Sequence, residues 1–241
     1  MHDMSFTEYK MSVKRTLAVR TTIPNVCKSW ATIRLPETVY IVAGGPNGAA
    51  AALKIPDDAC TIACNSSILM PRDFSWWVAF DYRIPHYGWW KTVQTSARKL
   101  FSSRLLNRLA MPPVVRQIRA DYYFEYLPDI VSPTRLQPKA VKTPVEQFLM
   151  PSILRGGLTV SGIALQFAYY GGAKRIILCG VDLTGRGHWD GFTNPDPYQL
   201  CGGRWPWADQ MQAMCDLIRS KGVDVRTCSK SALNLPFEEL S

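Results

Sequence analysis

Several features that would place this chain quickly are missing from it. It has no apolar run approaching the roughly 20 residues that span a bilayer, and its first residues, MHDMSFTEYKMSVKR, lack the apolar core of a signal peptide. A soluble protein of the cytoplasm is therefore expected. The seven cysteines (Cys27, Cys60, Cys64, Cys179, Cys201, Cys215 and Cys228) are scattered and contain no CxxC pair. That argues against a disulfide framework and against a structural zinc site, and predicts reduced thiols, several of them buried. Neither GxGxxG nor GxxxxGK(S/T) occurs, so the standard dinucleotide and P-loop fingerprints are absent. Of three histidines, His2 lies at the start and His86 in an aromatic segment, which leaves His188 as the one in a promising loop. Between Asp81 and Asp121 there is no acidic residue, while Arg83, Lys91, Arg98, Lys99, Arg104, Arg108, Arg116 and Arg119 fall there and carry most of the net charge of +9. Such a window is either a solvated helix face or an electropositive wall for a polyanion or nucleotide phosphates, with Trp89, Trp90 and Phe101 available to stack on bases.

What is present is an α/β pattern. With 241 residues and 47% hydrophobic content the chain can bury one substantial core, and no low-complexity linker divides it. Residues 159 to 190 are the most informative stretch. Val160, Ile163, Ala164, Phe167 and Ala168 recur at helical spacing, with Thr159 or Ser161 as N-cap and Gly171-Gly172 as a stop. Arg175 to Cys179 is a short apolar run of the kind found in strands covered on both faces, and it ends in Gly180-Val181-Asp182. In an open parallel sheet, ligands sit beyond the carboxyl ends of strands, so Asp182, Arg186, His188 and Asp190 fall where chemistry is expected.

The remaining chain repeats the pattern. Residues 1 to 35 read as an irregular or partly helical extension, and residues 36 to 241 as one domain. Thr38 to Ala43 is a strand running into Gly44-Gly45-Pro46-Asn47-Gly48 and an alanine-rich helix, where amides at a helix start favour phosphate, although on spacing alone a plain tight turn is the better reading. Ala59 to Cys64 is a strand ending on Asn65-Ser66, whose amide suits a base or ribose edge or an ordinary turn, and Ser75 to Phe80 is another, ending at Asp81. Residues 82 to 155 read as a basic helical and loop insertion or lid, with a helix around Lys91 to Leu109 carrying Leu100, Leu105, Leu106 and Leu109, and a strand near Tyr122 to Leu127. Pro206 to Lys221 is a helix with Trp207, Met211, Met214, Cys215 and Ile218 on one face, and Val223 to Cys228 is a last strand.

The AGGP turn, the strand ending in Asn65, Ser161-Gly162 opening a helix, the GAKRIILCGVDL strand and a final strand followed by Ser231-Ala232-Leu233 together resemble one superfamily. It joins single-domain bacterial sialyltransferases with proteins of motility-accessory-factor and archaeal pterin-pyrophosphokinase type. The GRGHWDG loop and the WWVAFDYR strand end look closer still to its small phage and prophage-encoded members, which would place the chain in a host cytoplasm. The resemblance covers residues 38 to 240. It implies a Rossmann-like, mostly parallel sheet with helices on both faces, in which Gly44, Gly45, Pro46, Asn65, Thr159, Ser161 and Gly162 hold the nucleotide of an activated donor. In the sialyltransferases a base histidine lies well downstream of the strand-end aspartate, with tyrosines between them. Here His188 follows Asp182 closely, and Thr184 and Asp190 stand where tyrosines would be sought, so neither the sialic-acid donor nor that base assignment carries over.

The function this predicts is transfer of a sugar from a nucleotide-sugar to a hydroxyl acceptor, with a modified phage DNA base as one acceptor that fits the basic window. Arg155, Arg186 and Ser161 are candidates for steadying the departing phosphate. His188 reads as a general base oriented by Asp190 or Asp182, as a loop brace, or as part of an Asp182, His188, Asp190 site for a divalent metal bridging a diphosphate. A pterin-type diphosphokinase using ATP and a non-catalytic nucleotide- or nucleic-acid-binding protein are the competing readings.

Overall fold

Apolar runs covered on both faces need no polar alternation, and the runs identified above become the strands of a single sheet. A computed structural model of the protein describes residues 28–81, 84–103, 105–106, 118–124, 159–184, 187–190 and 208–240. In chain order the strands are β1 (Lys28–Ser29), β2 (Thr38–Val42), β3 (Cys60–Cys64), β4 (Trp76–Ala79), β5 (Arg98–Ser102), β6 (Tyr122–Phe124), β7 (Arg175–Cys179) and β8 (Asp224–Thr227). They lie in the order β1-β6-β5-β4-β3-β2-β7-β8, and every pairing is parallel. Among the described residues, helices α1 (Gly48–Ala52), α2 (Val160–Tyr170) and α3 (Ala208–Ser220) accompany them. No helix among the described residues is long and apolar enough to cross a membrane.

Alternate side chains of each strand feed two cores. Val39, Ile41, Ile176 and Leu178 point to the face covered by α2 and α3, against Phe167, Met211 and Met214. Val42, Ala63, Trp77 and Ile177 point to the other face, under Ala51 and Ala52 of α1 and the 3-10 turns at Ile84–His86 and Gly88–Lys91. Helices on both faces of a parallel sheet are the expected Rossmann-like architecture. Thr159 caps α2, its Oγ1 accepting from the Gly162 amide at 3.0 Å. At the other end of α2 the Gly171 carbonyl accepts from the Leu35 amide at 2.8 Å, just ahead of β2. Helix α2 therefore runs against the strands, and its start opens toward their carboxyl ends.

Two expectations are corrected here. Within the segment read as a helical and loop insertion, the helix expected around Lys91 to Leu109 gives way to a strand over Arg98–Ser102, while the strand expected near Tyr122 is β6, and both join the sheet. Two charges of the basic window sit at the start of β5. The Arg98 guanidinium lies over the Trp76 ring, 5.3 Å from its centroid, and the Lys99 ammonium stands 3.8 Å from Asp121, so both stems cover the sheet while the heads reach water. Only after Ser102 does the chain turn helical, with Leu105 buried. The same packing removes most of the stacking surface expected of the basic window. Trp90 and Phe101 are core residues against Trp77, while Trp89 is half-buried beside Tyr87. Arg83, Arg104, Arg108 and Arg116 lie outside the described residues. At the other flank, Lys28–Ser29 of the supposed extension pairs with β6, and Trp30 packs on Phe167 and Tyr170.

Beyond β8, residues 236–238 fold back along the sheet. The Thr227 amide donates to the Pro236 carbonyl at 3.0 Å and the Glu238 amide to the Thr227 carbonyl at 2.8 Å. Glu238 is held by Arg175 at 2.6 Å and by Arg226 at 3.4 Å.

Candidate functional site

The strand order reverses at β2. From there the chain proceeds through β3, β4, β5 and on to β6 in one direction, then returns to place β7 and β8 on the other side. In open α/β sheets the crevice beyond such a reversal is the usual ligand site. The loops that meet there are Gly44 to Asn47 after β2 and Val181 to Asp190 after β7.

Asp182 organises them. It is 2% exposed. Its Oδ2 accepts from both the backbone amide and the Nδ2 of Asn47, each at 3.2 Å, and its Oδ1 from the Ser229 hydroxyl at 3.1 Å. The Ser229 Oγ in turn accepts from the Gly180 amide at 3.0 Å, and the Asp182 carbonyl accepts from the Ala232 amide at 2.7 Å. The glycine turn is thus filled from inside the protein. Gly45 donates to the Gly180 carbonyl at 2.8 Å, Gly48 to Gly45 at 2.9 Å, and Asn47 to Asp182, so these three amides of the turn already have acceptors within the chain.

Burial pushes the Asp182 carboxyl above its ordinary value, and the hydrogen bonds from Asn47 and Ser229 only partly oppose that. The folded state therefore binds this proton more tightly than the unfolded chain. Stability from Asp182 is fully present below the unfolded carboxyl value, near 4, and is lost as pH rises through the raised folded value. Asp182→Ala leaves the Asn47 amide and the Ser229 hydroxyl without their acceptor and is expected to lower stability by roughly 3 kcal/mol. Asp182→Asn, which keeps an acceptor, is expected to lose far less. Chemical denaturation between neutral pH and pH 4 should show the parent gaining stability relative to Asp182→Asn as the pH falls. An unchanging difference would contradict the raised carboxyl.

His188 lies on the outer side of the same turn. Its Nδ1 is 2.9 Å from Asp190 Oδ1, with the two side chains 31% and 40% exposed. The Trp189 amide donates to the Gly44 carbonyl at 3.1 Å, which draws the imidazole over Gly44; a methyl group there would stand 2.1 Å from Nε2. An imidazole that donates from Nδ1 to a carboxylate presents a lone pair at Nε2. The orienting partner is Asp190, because Asp182 is committed to Asn47 and Ser229. For the same reason Asp182, His188 and Asp190 do not assemble as a metal site, and among the described residues no three His, Cys, Asp or Glu side chains are grouped to hold one.

On the other side of β2, Asn65 closes β3 with a φ of 51°, and Leu183 follows Asp182 with a φ of 52°. These are the non-glycine residues with left-handed backbone among those described, Asn65 directly after β3 and Leu183 in the loop after β7, the two strands that flank β2. Such conformations cost of order 1 kcal/mol or more and tend to cluster at working sites. The Asn65 carbonyl accepts from Trp77 Nε1 at 2.8 Å and its Oδ1 from the Phe80 amide at 3.4 Å, an arrangement that does not use its Nδ2. Ser66 lies half-buried in the 3-10 turn that follows, and the Asp81 carbonyl accepts from the Ile84 amide at 3.1 Å beyond β4. Thr159 and Ser161 bond each other at 3.1 Å while capping α2, with Gly162 buried behind them. Gly187 packs beside Pro46. Arg155 and Arg186 lie outside the described residues.

Sequence reasoning passed over Ser229, Leu183 and Trp189. The Trp189 Nε1 is buried with no acceptor among the described residues, and its ring packs against the core on the α1 side of the sheet. Only the Ser-x-Ser spacing after β8 offered a signal for Ser229. A cleft of about 450 Å³ lined by Arg34, Asp58, Ser75, Trp76 and Arg98 opens at the opposite, amino ends of the strands.

The parallel pairing and the reversal at β2 define a Rossmann-like α/β protein. In fold it is similar to the MAf glycosyltransferase from Magnetospirillum magneticum AMB-1, with a TM-score of 0.54 and 17% identity over 86% of this chain. The chain spans about a third, 34%, of that protein's length. The sialyltransferase CstII from Campylobacter jejuni, solved with the substrate analogue CMP-3FNeuAc, superposes with a TM-score of 0.42 at 12% identity, covering 85% of this chain and 87% of that one. The monofunctional alpha-2,3-sialyltransferase Cst-I of the same organism gives 0.43 at 12% identity, with 89% and 86% covered. No protein-family model matches the chain, and no curated protein sequence matches it.

Proposed function

We propose that the chain is a glycosyltransferase-like enzyme that moves a sugar from a nucleotide-sugar to a hydroxyl acceptor at the carboxyl ends of β2, β3 and β7. The observation that carries this reading is the His188 and Asp190 pair held over Gly44 at the strand-order reversal. Nε2 of His188 takes the acceptor's hydroxyl proton. The freed oxygen bonds to the anomeric carbon as the bond from that carbon to the phosphate oxygen breaks, and the nucleotide leaves with the electron pair. Its charge needs donors in place beforehand, for which the start of α2 at Thr159, Ser161 and Gly162, and Arg155 and Arg186 are the candidates. Asn65 Nδ2, with Ser66 and Asp81 on the neighbouring strand ends, is assigned to the base or ribose. Gly45, Pro46, Asn47 and Asp182 act as the frame that sets the height of this floor.

The fold shared with the MAf glycosyltransferase supports the class of reaction, and the phage-like motifs with the basic window support nucleic acid, including a modified phage DNA base, as acceptor. Asn65→Gly tests the donor assignment cleanly, because glycine adopts the left-handed backbone without strain while losing the amide. A thermal-shift screen over CMP, UDP, GDP and ATP is expected to give a specific stabilisation by one nucleoside diphosphate or monophosphate class in the parent. The Asn65→Gly variant should fold and lose that shift by tenfold or more in affinity. Stabilisation by ATP alone, with its consumption, would replace the transferase by a diphosphokinase. Duplex binding that does not weaken with salt would remove nucleic acid as acceptor.

A further inference from the structure

Cys179 and Cys228 are the one sulfur pair in contact among the described residues, with Sγ atoms 2.8 Å apart. The register Leu178 to Thr227 makes them side-by-side neighbours on β7 and just past β8, and the Cys228 amide donates to the Leu178 carbonyl at 3.0 Å. Strands in one sheet lie about 4.8 Å apart, within the Cα separation of roughly 4.4–6.8 Å that a disulfide bridges. Cys179 is fully buried and Cys228 half-buried, so one sulfur is open to a reagent and the other waits behind it.

We propose that Cys179 and Cys228 are an oxidisable dithiol that closes to a disulfide beneath the Asp182 loop. With a peroxide as oxidant, the Cys228 thiolate attacks the peroxide oxygen, giving a sulfenic acid and, after protonation, one water. The Cys179 sulfur then attacks the Cys228 sulfur while its proton passes to the sulfenic oxygen, which leaves as a second water. Two thiols and one peroxide thus become one disulfide and two waters. Burial raises the Cys179 thiol, which leaves Cys228 as the sulfur that meets the peroxide first.

The next residues along each strand are Gly180 and Ser229, joined by the 3.0 Å bond from the Gly180 amide to Ser229 Oγ, and Ser229 also holds Asp182. The disulfide therefore locks the pair that anchors the loop floor, whatever reaction runs above it. The test treats the full chain with stoichiometric hydrogen peroxide, blocks remaining thiols under denaturing conditions, and maps peptides by mass. A linked peptide pair containing Cys179 and Cys228, a melting temperature raised in the oxidised form, and reversal of both by dithiothreitol are expected. Cys228→Ser should abolish the link and Cys60→Ser leave it intact. A sulfinic or sulfonic Cys228 with Cys179 still free, or links that scatter over the other cysteines, would overturn the proposal. If Cys228→Ser does not fold, the mapped parent decides alone.

Discussion

Gly45→Ala is expected to be strongly destabilising. The added carbon would stand 2.4 Å from the Gly180 carbonyl oxygen and 2.6 Å from Asp182 Oδ2. Neither can yield cheaply. The carbonyl is backbone on the neighbouring strand end and accepts from the Gly45 amide itself, and the carboxylate is fixed by Asn47 and Ser229. Relief therefore means parting β2 from β7 at the reversal point, in the middle of the sheet. Overpacking of this kind costs typically 1–3 kcal/mol and more where backbone must move. For a chain of this size each kcal/mol corresponds to roughly 2–4 °C in Tm. A loss of about 10 °C is the expected result in a thermal melt, and a loss under 2 °C would show that the two loops are not locked as described.

Gly44→Ala, one residue earlier, should behave in the opposite way. Its methyl would meet only the far edge of the His188 imidazole, at 2.1 Å from Nε2, and that ring is half exposed and turns aside. The fold is expected to survive with a small change in Tm, while the imidazole leaves Asp190 and the acceptor site. Loss of a positioned general base lowers turnover by about 10²–10⁴-fold. Gly44→Ala and His188→Ala should each show that loss, and the double variant should be no worse than either, because both remove the same group. Donor affinity measured by thermal shift should change little in all three. Full turnover in Gly44→Ala would sink the assignment of His188, and additive losses would show that Gly44 acts by another route.

The strands legible in advance were those whose burial left no alternative period. Arg175–Cys179 has four consecutive buried residues after its arginine, and Trp76–Ala79 is buried throughout, so neither can be a surface helix. Strand β5 was illegible because only Leu100 and Phe101 report burial before Ser102, and their neighbours at Leu105 and Leu106 fit a helical stripe equally well. The long-range pairing with β4 and β6 settles it, and no window of sequence contains that information. At the site, the positions of Asp182, Asn65 and His188 at strand ends were readable from the runs before them. Their partners were not. Asp182 was separated from Asn47 by most of the domain, and nothing local distinguishes a carboxylate that meets a ligand from one that holds a turn. The glycine turn reads as a phosphate cradle or as a plain tight turn because the same glycines serve either purpose, and the bonds from Asn47 to Asp182 lie beyond any local window.

The return of residues 236–238 along β8 has a consequence outside the site. A sheet whose strands are all parallel ends in two rows of unsatisfied peptide groups, each a template for another chain. On the β8 edge the Thr227 amide and carbonyl are taken up by Pro236 and Glu238. Two arginines on β7 and β8 keep that closure in register through Glu238. The C-terminal residues thus cover the carboxyl end of that edge, where peptide groups would otherwise be open to a second copy pairing edge to edge.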